Sequence, residues 1–334
     1  MEETIKEKNI LTVNDLCVNL FTDGLSLPVI AHVSFDVKEG ETLGVVGESG
    51  CGKSMLASAI IGLIARPGKI TGGQILFEGN DLTKFSQNDL RSIRGRKISM
   101  IFQDPMTSLN PIMTCGKQIT ECIHAHNKVS KKAADEKALE MIRSVGIHNP
   151  EKIFRQVPFQ LSGGMRQRIM IAMALVCKPK LLICDEPTTA LDVTVQAQIL
   201  KLIKHLQKET GTAVIFISHD MGVISEMSDK IAVMYAGHLI EYGTANEILN
   251  NPQHPYTKGL QAAIPKIEEE TEKLECIPGN VPMLDKIPSG CVFAPRCAFA
   301  TEKCRESRPE CFITDRNTGH KTACFYPTEK EISK

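Results

Sequence analysis

The sequence predicts an α/β fold: a P-loop core with parallel strands, an antiparallel β subdomain, a helical insert and a small, irregular, Cys-rich C-terminal extension. Three observations predict it. Gly47–Ser54 reads G-x-x-x-x-G-K-S, with the apolar run Leu43–Val46 before it and the helical pattern Ser54–Ile64 after it. Strand, loop and helix in that order are the context a phosphate-binding loop requires. Further short apolar runs, 97–102, 180–184 and 213–217, each end in polar residues, as buried strands do where they deliver side chains to a ligand. Between them, residues 107–160 show only helical spacing, and beyond Thr244 proline, charge and cysteine replace apolar periodicity.

The bulk numbers narrow the function classes. A chain of 334 residues can bury a full core and fill two domains. Its 39 basic and 39 acidic residues balance, so no electrostatic footprint for nucleic acid is present and none is expected as a partner. No run of about 18 apolar residues occurs, and the charged N-terminus lacks the apolar core of a signal peptide, so a cytoplasmic protein is expected. Of 12 cysteines, Cys17, Cys51, Cys115, Cys122, Cys177, Cys184, Cys276 and Cys311 are scattered and read as reduced, small core or tail residues.

Ile10–Phe21 alternates apolar and polar residues and reads as a strand, Thr22–Ser26 as a turn around Asp23-Gly24, and Val29–Val37 as the returning strand. An aromatic on such a pair can stack on a purine, and Phe21 is the candidate; a core or surface phenylalanine is the alternative. In the loop, Gly47, Ser49, Gly50, Cys51 and Gly52 supply the curled backbone whose N–H groups face phosphate oxygens, and the following helix adds its N-terminal dipole. Lys53 would reach the β and γ phosphates of ATP, and the Ser54 hydroxyl would ligate Mg²⁺.

Gly68–Gly73 reads as a turn, Gln74–Glu78 as a strand and Asp81–Arg96 as a helix. The strand 97–102 then delivers Gln103 at its carboxyl end. Helices follow at Gly116–Asn127, at Lys131–Val145 and after Asn149. Ser162, Gly163 and Gly164 open another helix, and a serine with two glycines there makes a second anion-receptive terminus. Dimerisation would explain two phosphate-type sites in one chain. The strand Lys180–Cys184 runs into Asp185-Glu186, where Asp185 would hold Mg²⁺ and Glu186 would polarise an attacking water. After the helix Thr194–Thr210, the strand Ala213–Ile217 ends at His219, and Lys230–Tyr235 with Leu239–Tyr242 forms a hairpin.

Thr257–Ala263 reads as a short helix, 267–275 as a charged linker and Pro278–Pro295 as irregular chain. Cys291, Cys297, Cys304, Cys311 and Cys324 lie here with too little apolar periodicity for a core, so a metal site is the economical staple. Four thiolates suit either an iron–sulfur cluster or structural zinc, although no pair has the close spacing usual for zinc.

Gly47–Ser54, Gln103, Leu161–Met165, Leu181–Glu186, Leu191-Asp192 and His219 occur in the order of an ABC-transporter ATPase subunit, and the sequence resembles that family over about residues 10–250. The resemblance implies an ABC ATPase domain at 1–250, with a helical subdomain at about 104–165, and a C-terminal extension at 251–334. It further implies that Lys53, Glu186 and His219 are catalytic and that Gln103 links the metal to the helical insert. Ser162, Gly163 and Gly164 would cap the γ-phosphate held by a partner's loop, and Asp192 would couple the two sites. The tail, with Asn251–Thr257, Val281-Pro282 and Gly290–Cys297, is similar to the extension of dipeptide and oligopeptide importers. That similarity assigns a [4Fe–4S] cluster to Cys291, Cys297, Cys304 and Cys324 and leaves Cys311 as extra. The partners implied are two transmembrane permease subunits, a second homologous ATPase subunit or a second copy, and an external peptide-binding protein acting through the permeases. The chain would then sit in the cytoplasm, on the inner face of the cell membrane. The alternatives are a soluble or redox-regulated ABC ATPase not coupled to transport, and a nickel importer subunit.

Overall fold

The computed structural model describes residues 9–22, 24–189, 191–263, 277–315 and 318–327. The expected turn residue Asp23, the linker 267–275 and Cys276 lie outside the described residues. Two compact units form: one from Lys38–Gly40 and Lys84–Ile215 with the chain up to Ile10, the other from Leu11–Val37, Glu41–Thr83 and Phe216–Lys334.

In the second unit, β1 (Asn9–Thr22), β2 (Leu25–Lys38), β4 (Gly68–Phe77) and β5 (Asn80–Asp81) make an antiparallel sheet in the order β2-β1-β4-β5. Alternation in β1 buries Leu11, Val13, Leu16 and Val18, as a half-buried strand demands. The expected turn at Gly68–Gly73 is instead the first part of β4, where Gly68 faces Leu20, Ile70 faces Val18 and Gly72 faces Cys17. The glycines mislead because the Lys69-Ile70-Thr71 alternation runs through them, and Gly73 lies beside a bulge between Asn14 and Cys17. β3 (Thr42–Val46) is wholly buried and leads through the glycine loop to α1 (Lys53–Ile60). That helix stops short of the expected Ile64, with Gly62 at φ +70 just beyond its end.

The first unit carries the helical run. The single helix expected over Asp81–Arg96 is shorter, α2 (Gln87–Ile93), because Ser86 and Asp89 form a reciprocal capping box that starts it late. β6 (Ile98–Ile101) is followed by α3 (Pro105–Ser108), α4 (Cys115–His124), α5 (Lys131–Ser144), α6 (Pro150–Arg155) and α7 (Gly163–Leu175). β7 (Leu181–Asp185) pairs in parallel with β6, Ile98 facing Leu181 and Ile101 facing Cys184. Every residue of both strands is buried, which is why they read as unbroken apolar runs. α8 (Val193–Thr210) leads to β8 (Ala213–Ser218), within which the chain passes into the second unit.

There α9 (Met221–Met227) precedes β9 (Lys230–Tyr235), which pairs in parallel with β3 and antiparallel with β10 (His238–Thr244). α10 (Ala245–Asn250) and α11 (Pro255–Ala262) follow. The extension has more order than its composition suggests. α12 (Glu302–Glu306) and the strands β11 (Phe312–Asp315) and β12 (His320–Thr322) lie in it, and β12 adds to the edge of β10, with Glu241 opposite Thr322. Glu241, fully buried, accepts from the Gln253 and His254 N–H groups at 2.6 and 2.9 Å and meets His320 Nε2 at 2.8 Å. A buried carboxylate survives only when its lone pairs are occupied in this way. Among the described residues no helix is long and apolar enough to cross a membrane.

Candidate nucleotide site and cysteine site

The glycine loop has the geometry its sequence demands. Gly52 sits at φ +103, and a Cβ there would lie 2.9 Å from the Val29 carbonyl oxygen and from Ile30 Cδ1. At Gly47 a Cβ would collide with the Met234 carbonyl. Both positions therefore need glycine. Lys53, buried at the first position of α1, donates from Nζ to the carbonyls of Gly47 at 2.7 Å and Glu48 at 3.0 Å. Those bonds fold its ammonium back onto the loop. Cys51 is buried below, its thiol pushed up by burial, and Ser54 is exposed. Phe21, next to last in β1, is 43% exposed, with Lys69 Nζ 5.6 Å from its ring centre. His219 is exposed just after β8, in a turn fixed by the Ser218 hydroxyl, which accepts from the Asp220 N–H at 3.0 Å, and by Asp220 capping α9.

The loop has ties that the sequence did not announce. The Glu48 N–H donates to Tyr256 Oη at 2.9 Å, and the Glu48 carboxylate accepts from Arg296 Nη1 at 2.9 and 3.0 Å. Tyr256 is fully buried against Tyr235 and Phe293, at ring distances of 4.8 and 5.3 Å. Both residues lie inside stretches recognisable in the sequence, Asn251–Thr257 and Gly290–Cys297, but their role as contacts to the loop has no local signal.

The first unit holds the carboxylate group. Asp185 closes β7, buried, and Glu186 follows at φ +46, a left-handed conformation costly for a residue with a side chain. Glu186 Oε2 accepts from Gln103 Nε2 at 3.1 Å and from Thr189 Oγ1 at 3.0 Å. The structure thus joins Gln103 to Glu186 and adds Thr189, a residue the sequence reading passed over. Gln103 also leads into α3, where Asp104 caps the helix by accepting from the Met106 N–H at 2.8 Å. Buried Gln118 braces the loop beyond: its Oε1 accepts from the Asn110 N–H at 2.9 Å, and its Nε2 donates to the Asn110 and Met113 carbonyls at 3.0 and 2.9 Å. Ile112 in that loop is 88% exposed. Ser162 caps α7, accepting from the Met165 N–H at 3.3 Å, and Ser162 and Gly163 face solvent while Gly164 packs on Val195. Asp192 caps α8. Of the expected Mg²⁺ group, Gln103 and Asp185 belong to this unit and Ser54 to the other.

Cys291, Cys297, Cys304 and Cys324 all line one cavity, with Phe293, Phe299 and Phe325 among its walls, whereas Cys311 lines a different one with Arg308 and His238. The Tyr326 N–H donates to Cys324 Sγ at 3.4 Å. Amides aimed at sulfur stabilise thiolates, the ligand form. Burial pushes the Cys324 thiol up to about 11, and the three neighbouring cysteines push the same way. Among the described residues, no three His, Cys, Asp or Glu side chains form a group that could hold a metal ion, and none of the cysteines is in a disulfide.

Comparison with known proteins bears on both sites. Residues 30–189 match the family model described as ABC transporter, and residues 240–304 match that of the oligopeptide/dipeptide transporter C-terminal region. The chain is 51% identical over 330 residues to the oligopeptide transport ATP-binding protein OppD of Bacillus subtilis, covering 98% of this chain and 92% of that protein. It is 47% identical to the dipeptide transport ATP-binding protein DppD of the same organism, over 97% of this chain and 96% of that one. Among solved structures, a dimeric ABC cassette in a post-hydrolysis state bound to ADP and Pi is 26% identical with a TM-score of 0.64, covering 70% of this chain and 98% of its own.

Proposed function

This chain belongs to the ATP-binding subunits of ABC transporters, and from that premise we propose that it hydrolyses ATP to drive import of dipeptides or oligopeptides. The observation that carries the chemistry is Glu186, strained at φ +46 and held by Gln103 and Thr189 at the carboxyl end of β7. A carboxylate so fixed can orient and deprotonate a water in line with a phosphoryl group. Lys53 and the loop Gly47, Ser49, Gly50, Cys51, Gly52 bind the phosphates, Phe21 stacks on the adenine, and His219 contacts the γ-phosphate. Ser54, Gln103 and Asp185 would hold Mg²⁺, which supplies charge neutralisation when bound. Ser162 and Gly163, exposed at the start of α7, and Gly164 beside them serve the loop of a second ATPase subunit in a head-to-tail dimer, either a homologue or a second copy.

The remaining assignments follow the same reading. Residues 1–250 are the ATPase domain, with its helical subdomain at about 104–165, and 251–334 the extension. The braced loop after Gln103, with exposed Ile112, docks on two permease subunits at the inner face of the cell membrane, and an external binding protein selects the peptide. Cys291, Cys297, Cys304 and Cys324 hold a [4Fe–4S] cluster. Their shared place on one cavity wall supports it, and their spacing lacks the close ligand pair usual for zinc. The test is reconstitution with the permeases in vesicles and uptake of labelled dipeptide and oligopeptide with ATP. Uptake that needs Glu186 supports the reading; ATP-driven uptake of nickel and of no peptide would reassign the cargo.

A further inference from the structure

Glu48 is gripped from both sides. Its carbonyl accepts from Lys53 Nζ at 3.0 Å and from the Cys51 N–H at 3.3 Å, within the loop. Its N–H and carboxylate go to the extension, to Tyr256 Oη and Arg296 Nη1. Arg296 is itself anchored: Nε donates to the Pro278 carbonyl at 2.8 Å, Nη2 to the Ile277 carbonyl at 3.2 Å, and its side chain is 6% exposed. A planar guanidinium pinned at three corners offers its charge in one place, which a lysine could not do.

We propose that Arg296 and Tyr256 are positioning residues for the nucleotide loop, so that affinity for the triphosphate is set by the C-terminal extension. The inference rests on reading residues 47–54 as the nucleotide loop. The Glu48 carboxylate is five residues from the Lys53 ammonium, which already touches the Glu48 carbonyl. Arg296 holds the carboxylate in an ion pair of its own and keeps it from competing with phosphate for Lys53. Tyr256 holds the Glu48 N–H, which fixes the Gly47–Glu48 peptide plane and with it the Gly47 carbonyl that Lys53 Nζ meets at 2.7 Å. The arginine rides on the short turn Ala294–Arg296, directly before Cys297, so ordering of the cysteine site is felt at the loop through one side chain.

The test measures MgATP affinity of the full chain, purified anaerobically, by displacement of a fluorescent ATP analogue. Arg296→Gln should weaken binding about tenfold, the scale of losing one charge-assisted contact, and Tyr256→Phe about threefold to fivefold. In the pair Glu48→Gln with Arg296→Gln, the competing charge is gone, and affinity should return to within about threefold of the parent. A structural role alone would lower the melting temperature of the nucleotide-free protein without that rescue. Unchanged affinity in Arg296→Gln, or no rescue in the double variant, overturns the proposal. Lys53→Ala separates the two readings: if it binds MgATP normally, the loop assignment itself fails. Should Arg296→Gln not fold, Tyr256→Phe reads the same grip from its other side, and normal affinity there overturns the proposal.

Discussion

Replacing Glu186 by glutamine removes a base and leaves its scaffold standing. Oε2 accepts two hydrogen bonds, from Gln103 and Thr189, and an amide oxygen can accept both. Turning two charge-assisted bonds into neutral ones costs about 1 kcal/mol each, and Glu186 is half-exposed, so water offsets part of that. A net loss of about 1 kcal/mol moves the melting temperature by about 2–4 °C. The chemical step should suffer far more, by about 10²–10⁴-fold, the contribution of a placed general base. Phosphate release, equilibrium ATP binding and calorimetry on one preparation separate these effects. The expected result is near-normal ATP affinity, a small shift in melting and hydrolysis at or below about one hundredth of the parent. Turnover within about tenfold of the parent, with binding intact, would refute the assignment of Glu186 as the base.

Anaerobically purified protein should be brown, with broad absorbance near ~400 nm, and Cys324→Ser should bleach it while Cys311→Ser should not, because Cys311 faces another cavity. Colourless protein with one bound zinc would reject the cluster. Gly52→Ala should abolish nucleotide binding, since φ +103 and the Val29 carbonyl at 2.9 Å leave no room for a methyl group; binding within about twofold would contradict the cradle geometry. His238 is held neutral: Nδ1–H donates to the Ala236 carbonyl at 2.8 Å, Nε2 accepts from Arg308 at 2.7 Å, and burial, with Arg308 and His32 adding to it, pushes its pKa down from 6.5 to about 4. The unfolded chain then binds more protons between those values, so the stabilisation is complete above pH 6.5 and falls as pH drops towards 4. Denaturant titration should show about 1.4 kcal/mol lost by pH 5.5, a loss that His238→Gln lacks; equal losses in both would place the titration elsewhere.

How much of this was legible depends on how local the signal is. The glycine loop, the acidic end of β7 and the order of the motifs were readable because each is a short run whose residue types the chemistry restricts. The four cysteines were separable from Cys311 by spacing through the family resemblance; all four line one cavity, and Cys291 also lines the cavity of Cys311. Strand β4 was half missed because Gly68, Gly72 and Gly73 carry a turn composition over a strand alternation that β1 satisfies from a distance. The left-handed Glu186 and the Thr189 bond to it leave no trace in composition. Nor does the grip of Arg296 on Glu48, a contact between residues 248 positions apart.

The β12 strand on the edge of β10 bears on where this chain can be cut. Stopping it after Asn250, the tidy boundary of the motif-bearing part, would strip β10 of its β12 neighbour and leave backbone groups on that edge unpaired and open to another molecule. Glu241 would lose the Gln253 and His254 amides and His320 together, leaving its carboxylate beside β9 without any of the three partners that now surround it. The shortened protein should associate edge to edge and behave poorly in solution even with every nucleotide motif intact. For this chain the extension is the hem of the sheet, and a fragment trimmed to its enzymatic signature would fray from that side first.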